Sequence, residues 1–115
     1  MSMRPLLKKE LDGFLKRFSS FEDAELLSVE ILSSRCIKIS FNAQDGARDF
    51  DWVGIELEFD SVFDAQLPPQ NEIHLIDMQG GISIKADENG FLFHIVNYSS
   101  CSIKSSSLKF FQKSF

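Results

Sequence analysis

The chain has 115 residues, of which 43% are hydrophobic and 25% charged, with 12 Lys and Arg against 17 Asp and Glu for a net charge of −5. A chain of this size and balance is expected to form one globular domain, residues 1–115, with a real core. The acidic balance argues against nucleic acid as the main partner, which demands clustered excess Lys and Arg. No apolar run approaches the ~18 residues of a membrane span, and the opening Met-Ser-Met-Arg-Pro has no signal-peptide stretch. The expected compartment is therefore the cytoplasm, where Cys36 and Cys101 stay free thiols and pack as small apolar side chains, a Cys36–Cys101 disulfide being the less expected arrangement.

Residues 5–18 read as an amphipathic helix, with Leu7, Leu11, Phe14, Leu15 and Phe18 at helical spacing on one face and Pro5 in the first turn. Lys16 and Arg17 suit its C-terminal dipole. From Ala24 the period becomes two. Leu27, Val29 and Ile31 are expected inward on the first strand, and Ile37, Ile39 and Phe41 on a second, joined as a hairpin through Ser33-Ser34.

Residues 42–48 read as a polar loop with an Asp-Gly turn signal. Residues 50–59 give the clearest strand, with Val53, Ile55, Leu57 and Phe59 alternating against Gly54, Glu56 and Glu58. Residues 60–66 break the alternation, and Asp60 is placed to cap one helical turn. Pro68-Pro69 predicts an extended connection. A short apolar run follows at 73–77, and Gly80-Gly81 predicts a bend.

Residues 82–86 alternate again. Asp87-Glu88-Asn89-Gly90 predicts a hairpin turn, with Asn-Gly supplying the positive φ angles of a primed turn. Residues 91–98, apolar on both faces, read as a central or covered strand. Ser99-Ser100 marks a turn, residues 101–111 form the last strand, and the tail from Gln112 is expected to fray. The fold class is α+β: an N-terminal amphipathic helix packed on a curved antiparallel sheet or half-barrel of six or seven strands spanning 24–111. The absence of strand–helix–strand alternation excludes a doubly wound nucleotide-binding fold.

Charge is unevenly laid out. Residues 1–21 carry net +3, residues 22–77 net −10 and residues 78–115 net +2. The middle segment reads either as a solvated face balanced within the molecule or as an acidic surface that steers a basic protein partner. On the second reading the contact residues are Glu30, Asp45, Asp49, Asp51, Trp52, Glu56 and Glu58, because Glu56 and Glu58 share a strand face with Trp52 and an aromatic beside carboxylates is a common hot-spot composition.

No phosphate loop, nucleophile elbow, metal-ligand spacing or other catalytic motif is present, so no cofactor is expected and the reading is non-enzymatic. The alternative is a ligand-binding or enzymatic pocket inside the curved sheet near His94 and Tyr98. Self-association is a third expectation, through an open sheet edge formed by the last strand with Lys104, Lys109 and Lys113 on it.

The stretch Phe21-Glu22-Asp23-Ala24-Glu25-Leu26-Leu27-Ser28-Val29-Glu30 resembles the Phe-His-Asp-Ala/Ser-x-Leu opening of small bacterial β-rich domains, some of them similar to immunity proteins of polymorphic toxin systems. Leu57-Glu58-Phe59-Asp60-Ser61-Val62-Phe63 is similar to the apolar–x–Phe–x–x–Val run of those domains. Glu22 stands where that pattern has histidine, so no role of the histidine carries over. The resemblance implies a sheet-plus-helix fold and a non-enzymatic inhibitor of a toxin partner.

Overall fold

The structure, a computed structural model, describes residues 3–114. Its strands are β1 (Arg4–Pro5), β2 (Glu25–Ser33), β3 (Cys36–Asp45), β4 (Asp51–Gln66), β5 (Ile82–Asp87), β6 (Gly90–Ile95) and β7 (Tyr98–Ser114), with one short helix, α1 (Leu11–Arg17). They form one open antiparallel sheet in the order β2-β3-β4-β7-β6-β5. β4 lies along one side of β7. On its other side β6 covers the first half, and β1 pairs at Lys109 and Phe110. The architecture is α+β, as the periodicity predicts. Among the described residues no helix is long and apolar enough to cross a membrane.

The helix is shorter than its apolar spacing predicts. Arg4 and Pro5 join the sheet, Leu6 N donates to Leu108 O at 2.8 Å, and the helix begins only at Leu11. Sheet hydrogen bonds win over local propensity here, and they turn Leu6 into the core while Leu7 stays exposed. Leu11, Phe14 and Phe18 are buried as expected.

β3 and β4 follow the predicted alternation, with Ile37, Ile39, Phe41, Val53, Ile55, Leu57 and Phe59 all buried. Both strands run further than expected. Asn42–Asp45 continues β3 opposite Asp51–Gly54, so the loop shrinks to 46–50. Residues 60–66 stay in β4: Asp60 caps no helical turn and pairs opposite Cys36 and Ser107, and a register shift between Val62 and Asp64 absorbs the broken alternation.

β2 is an edge strand and departs from its expected facing. A register shift between Leu26 and Ser28 turns Leu27 out, and Ile31 is 68% exposed, so only Val29 of the expected trio is buried. The hairpin turn falls at Ser34-Arg35. Gln70 Nε2 donates to Val29 O at 2.7 Å, occupying a position that a neighbouring strand would use. Gln70 begins a 3-10 segment, Gln70–Leu75, where the sequence shows only an apolar run.

The β5–β6 turn falls at Asp87–Gly90 as predicted, with Gly90 opposite Asp87 and Asp87 Oδ1 accepting from Asn89 N at 2.8 Å; of Asn89 and Gly90, only Gly90 takes a positive φ. Ser99-Ser100 lies inside β7, and the turn before it is Val96-Asn97. β7 is interior to the sheet, between β4 on one side and β6 and β1 on the other, so the last strand is not the sheet's end as expected; the ends of the sheet are β2 and β5. Gln112, Lys113 and Ser114 of the expected frayed tail pair with β4. Phe115 lies outside the described residues.

One hydrophobic cluster joins helix and sheet. Phe21 is at its aromatic centre, with ring centroids 5.0 Å from Phe41, 5.5 Å from Phe18 and 6.0 Å from Phe14. The chain enters β2 through Ser19, Ser20, Phe21 and Asp23, all at φ between 53° and 60°. This kinked passage presses on Gly81 (φ +70°), where a Cβ would lie 2.2 Å from Ser20 O. Glycine is the side chain that this crossing permits.

Candidate interaction surface

Asp45, expected among the exposed partner contacts, is fully buried at the end of β3. This corrects its assignment. Its Oδ1 accepts from Arg17 Nε at 2.7 Å and Ala47 N at 2.9 Å, and its Oδ2 from Arg17 Nη2 at 2.6 Å and Gln112 Nε2 at 2.7 Å. Arg17 Nη2 also donates to Gln112 Oε1 at 3.0 Å, and its guanidinium lies over the Phe18 ring at 5.1 Å. The forked guanidinium suits bidentate pairing, and the donors satisfy a carboxylate that burial alone would penalise. Hydrogen bonding from Arg17 outweighs desolvation and holds the Asp45 carboxyl at about 2.

This network fixes the loop between β3 and β4 from beneath. Gly46 passes so close to α1 that a Cβ would lie 2.9 Å from Arg17 O. Phe50 N donates to Asp45 O at 2.9 Å, and Gln44 Nε2 to Phe50 O at 3.3 Å. Asp49 and Phe50 take φ of 55° and 64°. For a phenylalanine that region costs on the order of 1–3 kcal/mol and persists only where surrounding structure enforces it. The result is an exposed aromatic pair, Phe50 at 58% and Trp52 at 46%, alternating with exposed Asp49 and Asp51. Asp49, Asp51 and Trp52 are thus brought together as the sequence predicts. Phe50 was missed, because one phenylalanine among 12 carries no sign of its exposure.

The remaining predicted contacts lie on the outer face of the sheet but do not make a purely acidic field. Lys38 on β3 lies 3.7 Å from Glu30 and 3.9 Å from Glu56. Glu58 pairs across from Lys38 and Lys109, and Lys109 Nζ is 3.4 Å from Asp60. Cross-strand register sets lysines between carboxylates that the linear sequence separates from them. These pairs are partly buried, and they mute the local potential.

Cys36, Glu58 and Asp60 bring ligand-type atoms within 4.8 Å of one another. The Cys36 thiol donates to Asp60 Oδ1 at 3.2 Å. Desolvation, then the hydrogen bond and charge of Asp60, push it up to about 11. Burial pushes Cys101 up to about 11 as well. Both cysteines are free. At pH 8 the native protein should therefore react slowly with Ellman's reagent, since the thiolate is the nucleophile, and release two thiols once unfolded. Rapid release of one thiol from the folded protein would contradict the Cys36–Asp60 arrangement.

His94 and Tyr98 have separate surroundings. His94 is half-buried with Ser83 and Ser102 as its cross-strand neighbours. Tyr98 packs against the core margin and its hydroxyl donates to Glu72 Oε1 at 3.5 Å; desolvation, then Glu72, raise its pKa. A cleft of about 560 Å³ lies elsewhere, between the start of β2 and residues 73–79, and neither His94 nor Tyr98 lines it. Asp23, Glu25 and Asp77 are on its rim, with Leu26, Ile73 and Met78.

Comparison with protein-family models, curated proteins and solved structures returns no match.

Proposed function

We propose that the protein is a non-enzymatic protein-binding module. Its contact surface is centred on Asp49, Phe50, Asp51 and Trp52, continues onto Glu56 and Glu58 of β4 and ends at Glu30, and its partner is a basic protein. The observation that carries this reading is the pair of exposed aromatics between carboxylates, on a loop held in a costly conformation by the part-buried Arg17–Asp45 ion pair. Rigid aromatic anchors bind with little ordering cost, and flanking carboxylates steer a cationic partner and exclude others. The likeness of residues 21–30 to immunity-type openings narrows the partner to a basic bacterial toxin, which the module would inhibit. Asp45 acts through the loop as a positioning residue.

The test is capture from native-host lysate at low and moderate salt, followed by titration with the purified partner. The partner is expected to be basic and to bind one-to-one. Trp52→Ala is expected to weaken binding by at least ~30-fold, corresponding to about 2 kcal/mol for an anchor residue. Asp49→Lys with Asp51→Lys is expected to slow association and flatten its salt dependence. A partner whose affinity neither change alters would overturn the assigned surface. An inhibitor additionally predicts that the partner's own activity falls as the complex saturates.

A further inference from the structure

Residues 70–78 run past the open edge of β2 in the opposite direction and are tied to it near each end. Gln70 Nε2 donates to Val29 O at 2.7 Å, and Asp23 N, just before β2, donates to Met78 O at 2.8 Å. Between these two ties the segments part around the cleft of about 560 Å³. β2 ends the sheet on this side. Among the described residues, no backbone group of Glu25, Leu26, Leu27 or Ser28 is hydrogen-bonded outside the ladder with β3. Unpaired N–H and C=O groups on an edge strand are a template for an added strand unless something covers them. Residues 70–78 cover the edge at Val29 and leave it open along the cleft, whose volume is within the ~300–1,000 Å³ of ligand sites.

The charge around this cleft is of one sign. Asp23, Glu25 and Asp77 line it, no lysine or arginine does, and none of the three joins an ion pair among the described residues. Glu25 accepts from Asn42 Nδ2 at 2.8 Å, and Asp77 from Gln79 N at 2.8 Å and Asn97 Nδ2 at 3.3 Å. Those donors are neutral and leave the charges uncompensated, unlike the lysine-paired carboxylates on the outer face of the sheet. We propose that the cleft binds an extended basic segment of another protein, which adds its main chain to the edge of β2 and sets lysine or arginine heads against Asp23, Glu25 and Asp77. In such strand addition the main-chain hydrogen bonds give affinity and alternate side chains give specificity. The apolar stems lie along half-buried Leu26 and Ile76 while the charged heads stay at the wet rim. A second copy of this chain is a poorer occupant, because β5, the other end of the sheet, offers Lys85 alone among its six residues and ends on Asp87. The cleft is separate from the loop at residues 49–52, and neither reading requires the other.

The test is NMR titration of the ¹⁵N-labelled protein with a capped heptapeptide that alternates lysine and valine. Saturable shifts are expected at the amides of Glu25, Leu26, Leu27, Met78 and Gln79. The same peptide with its backbone nitrogens methylated keeps the charge but cannot pair with the edge. A peptide with glutamate in place of lysine keeps the backbone and reverses the charge. Each should bind at least roughly tenfold more weakly. Asp23→Asn with Glu25→Gln removes two charges from the cleft. Asparagine tolerates the φ of 60° at position 23, and glutamine keeps an acceptor for Asn42, so the spectrum should stay folded while affinity falls roughly tenfold. Trp52→Ala should leave the peptide response unchanged. No saturable shift, shifts confined to residues 49–52, equal binding of the methylated peptide, or unchanged affinity in the double variant would overturn the cleft as a strand-binding site. A dimer seen by light scattering, with the amides of Glu25 to Leu27 already protected from exchange, would also overturn it by making a second copy the occupant.

Discussion

Asp45→Asn is expected to destabilise the protein by about 2–3 kcal/mol at pH 7, measured by denaturant unfolding, and the loss should shrink in acid. At neutral pH the carboxylate accepts four hydrogen bonds, two of them from Arg17. Asparagine has one acceptor oxygen and would turn an amide N–H₂ toward donors. Charge-assisted bonds are each worth more than neutral ones, but Arg17, 36% exposed, recovers some hydration when its partner is neutralised, which keeps the cost below that of a stranded buried charge.

The sign of the pH dependence follows from the pKa. Folding holds this carboxyl at about 2, below the roughly 3.9 of an unfolded aspartate. The stabilisation, on the order of 2.5 kcal/mol, is fully present above the unfolded value and is lost as the pH falls from about 4 through 2. The wild-type and variant curves should therefore converge below pH 4. Curves that stay parallel down to pH 2 would show that an ionised Asp45 is not what Arg17 holds. Because the same network fixes Phe50 and Trp52, partner affinity should fall in Asp45→Asn although Asp45 is buried.

Phe21→Ala should have the larger effect, a loss of about 4 kcal/mol with an unchanged denaturant slope. Phe21 is fully buried, and its ring meets Phe18 and Phe14 from the helix side and Phe41 from β3. Truncation removes the transfer energy of the ring and leaves a cavity between two layers that cannot close without moving α1. Phe21 also adopts φ of 60°, so its backbone is held there by the packing that the substitution removes. Against a total stability of ~5–15 kcal/mol for a domain of this kind, the change takes a large share. A loss below 1 kcal/mol would mean that the helix does not depend on this aromatic contact.

Alternation alone made the middle of the sheet readable. Val53, Ile55, Leu57 and Phe59 repeat at the strand period, and burial enforces that period because a shift by one residue would expose all four. The same logic read β3 correctly and failed on β2. An edge strand has one neighbour, and a bulge there turns Leu27 and Ile31 to solvent without stranding a ladder on its far side. The helix start at residue 5 failed for a different reason. Pro5 and Leu6 are compatible with a first turn, but hydrogen bonds to β7, more than a hundred residues away, are available only after the sheet assembles.

The candidate site divides in the same way. Asp49, Asp51 and Trp52 were legible because the segment that carries them is short and its residues are neighbours in the chain. The fate of Asp45 was not, because its partners Arg17 and Gln112 come from opposite ends of the sequence. Nor was the muting of Glu30, Glu56 and Asp60 by Lys38 and Lys109, which register alone brings into range. Local pattern, in the form of period, turn residues and composition, determined that this chain is one antiparallel sheet with a helix and an acidic middle. Which carboxylates are buried, which are paired by lysine and which stand beside an exposed aromatic was decided by tertiary structure, because a charge's energy depends on the groups within a few ångströms of it in space, and those come from distant parts of the chain.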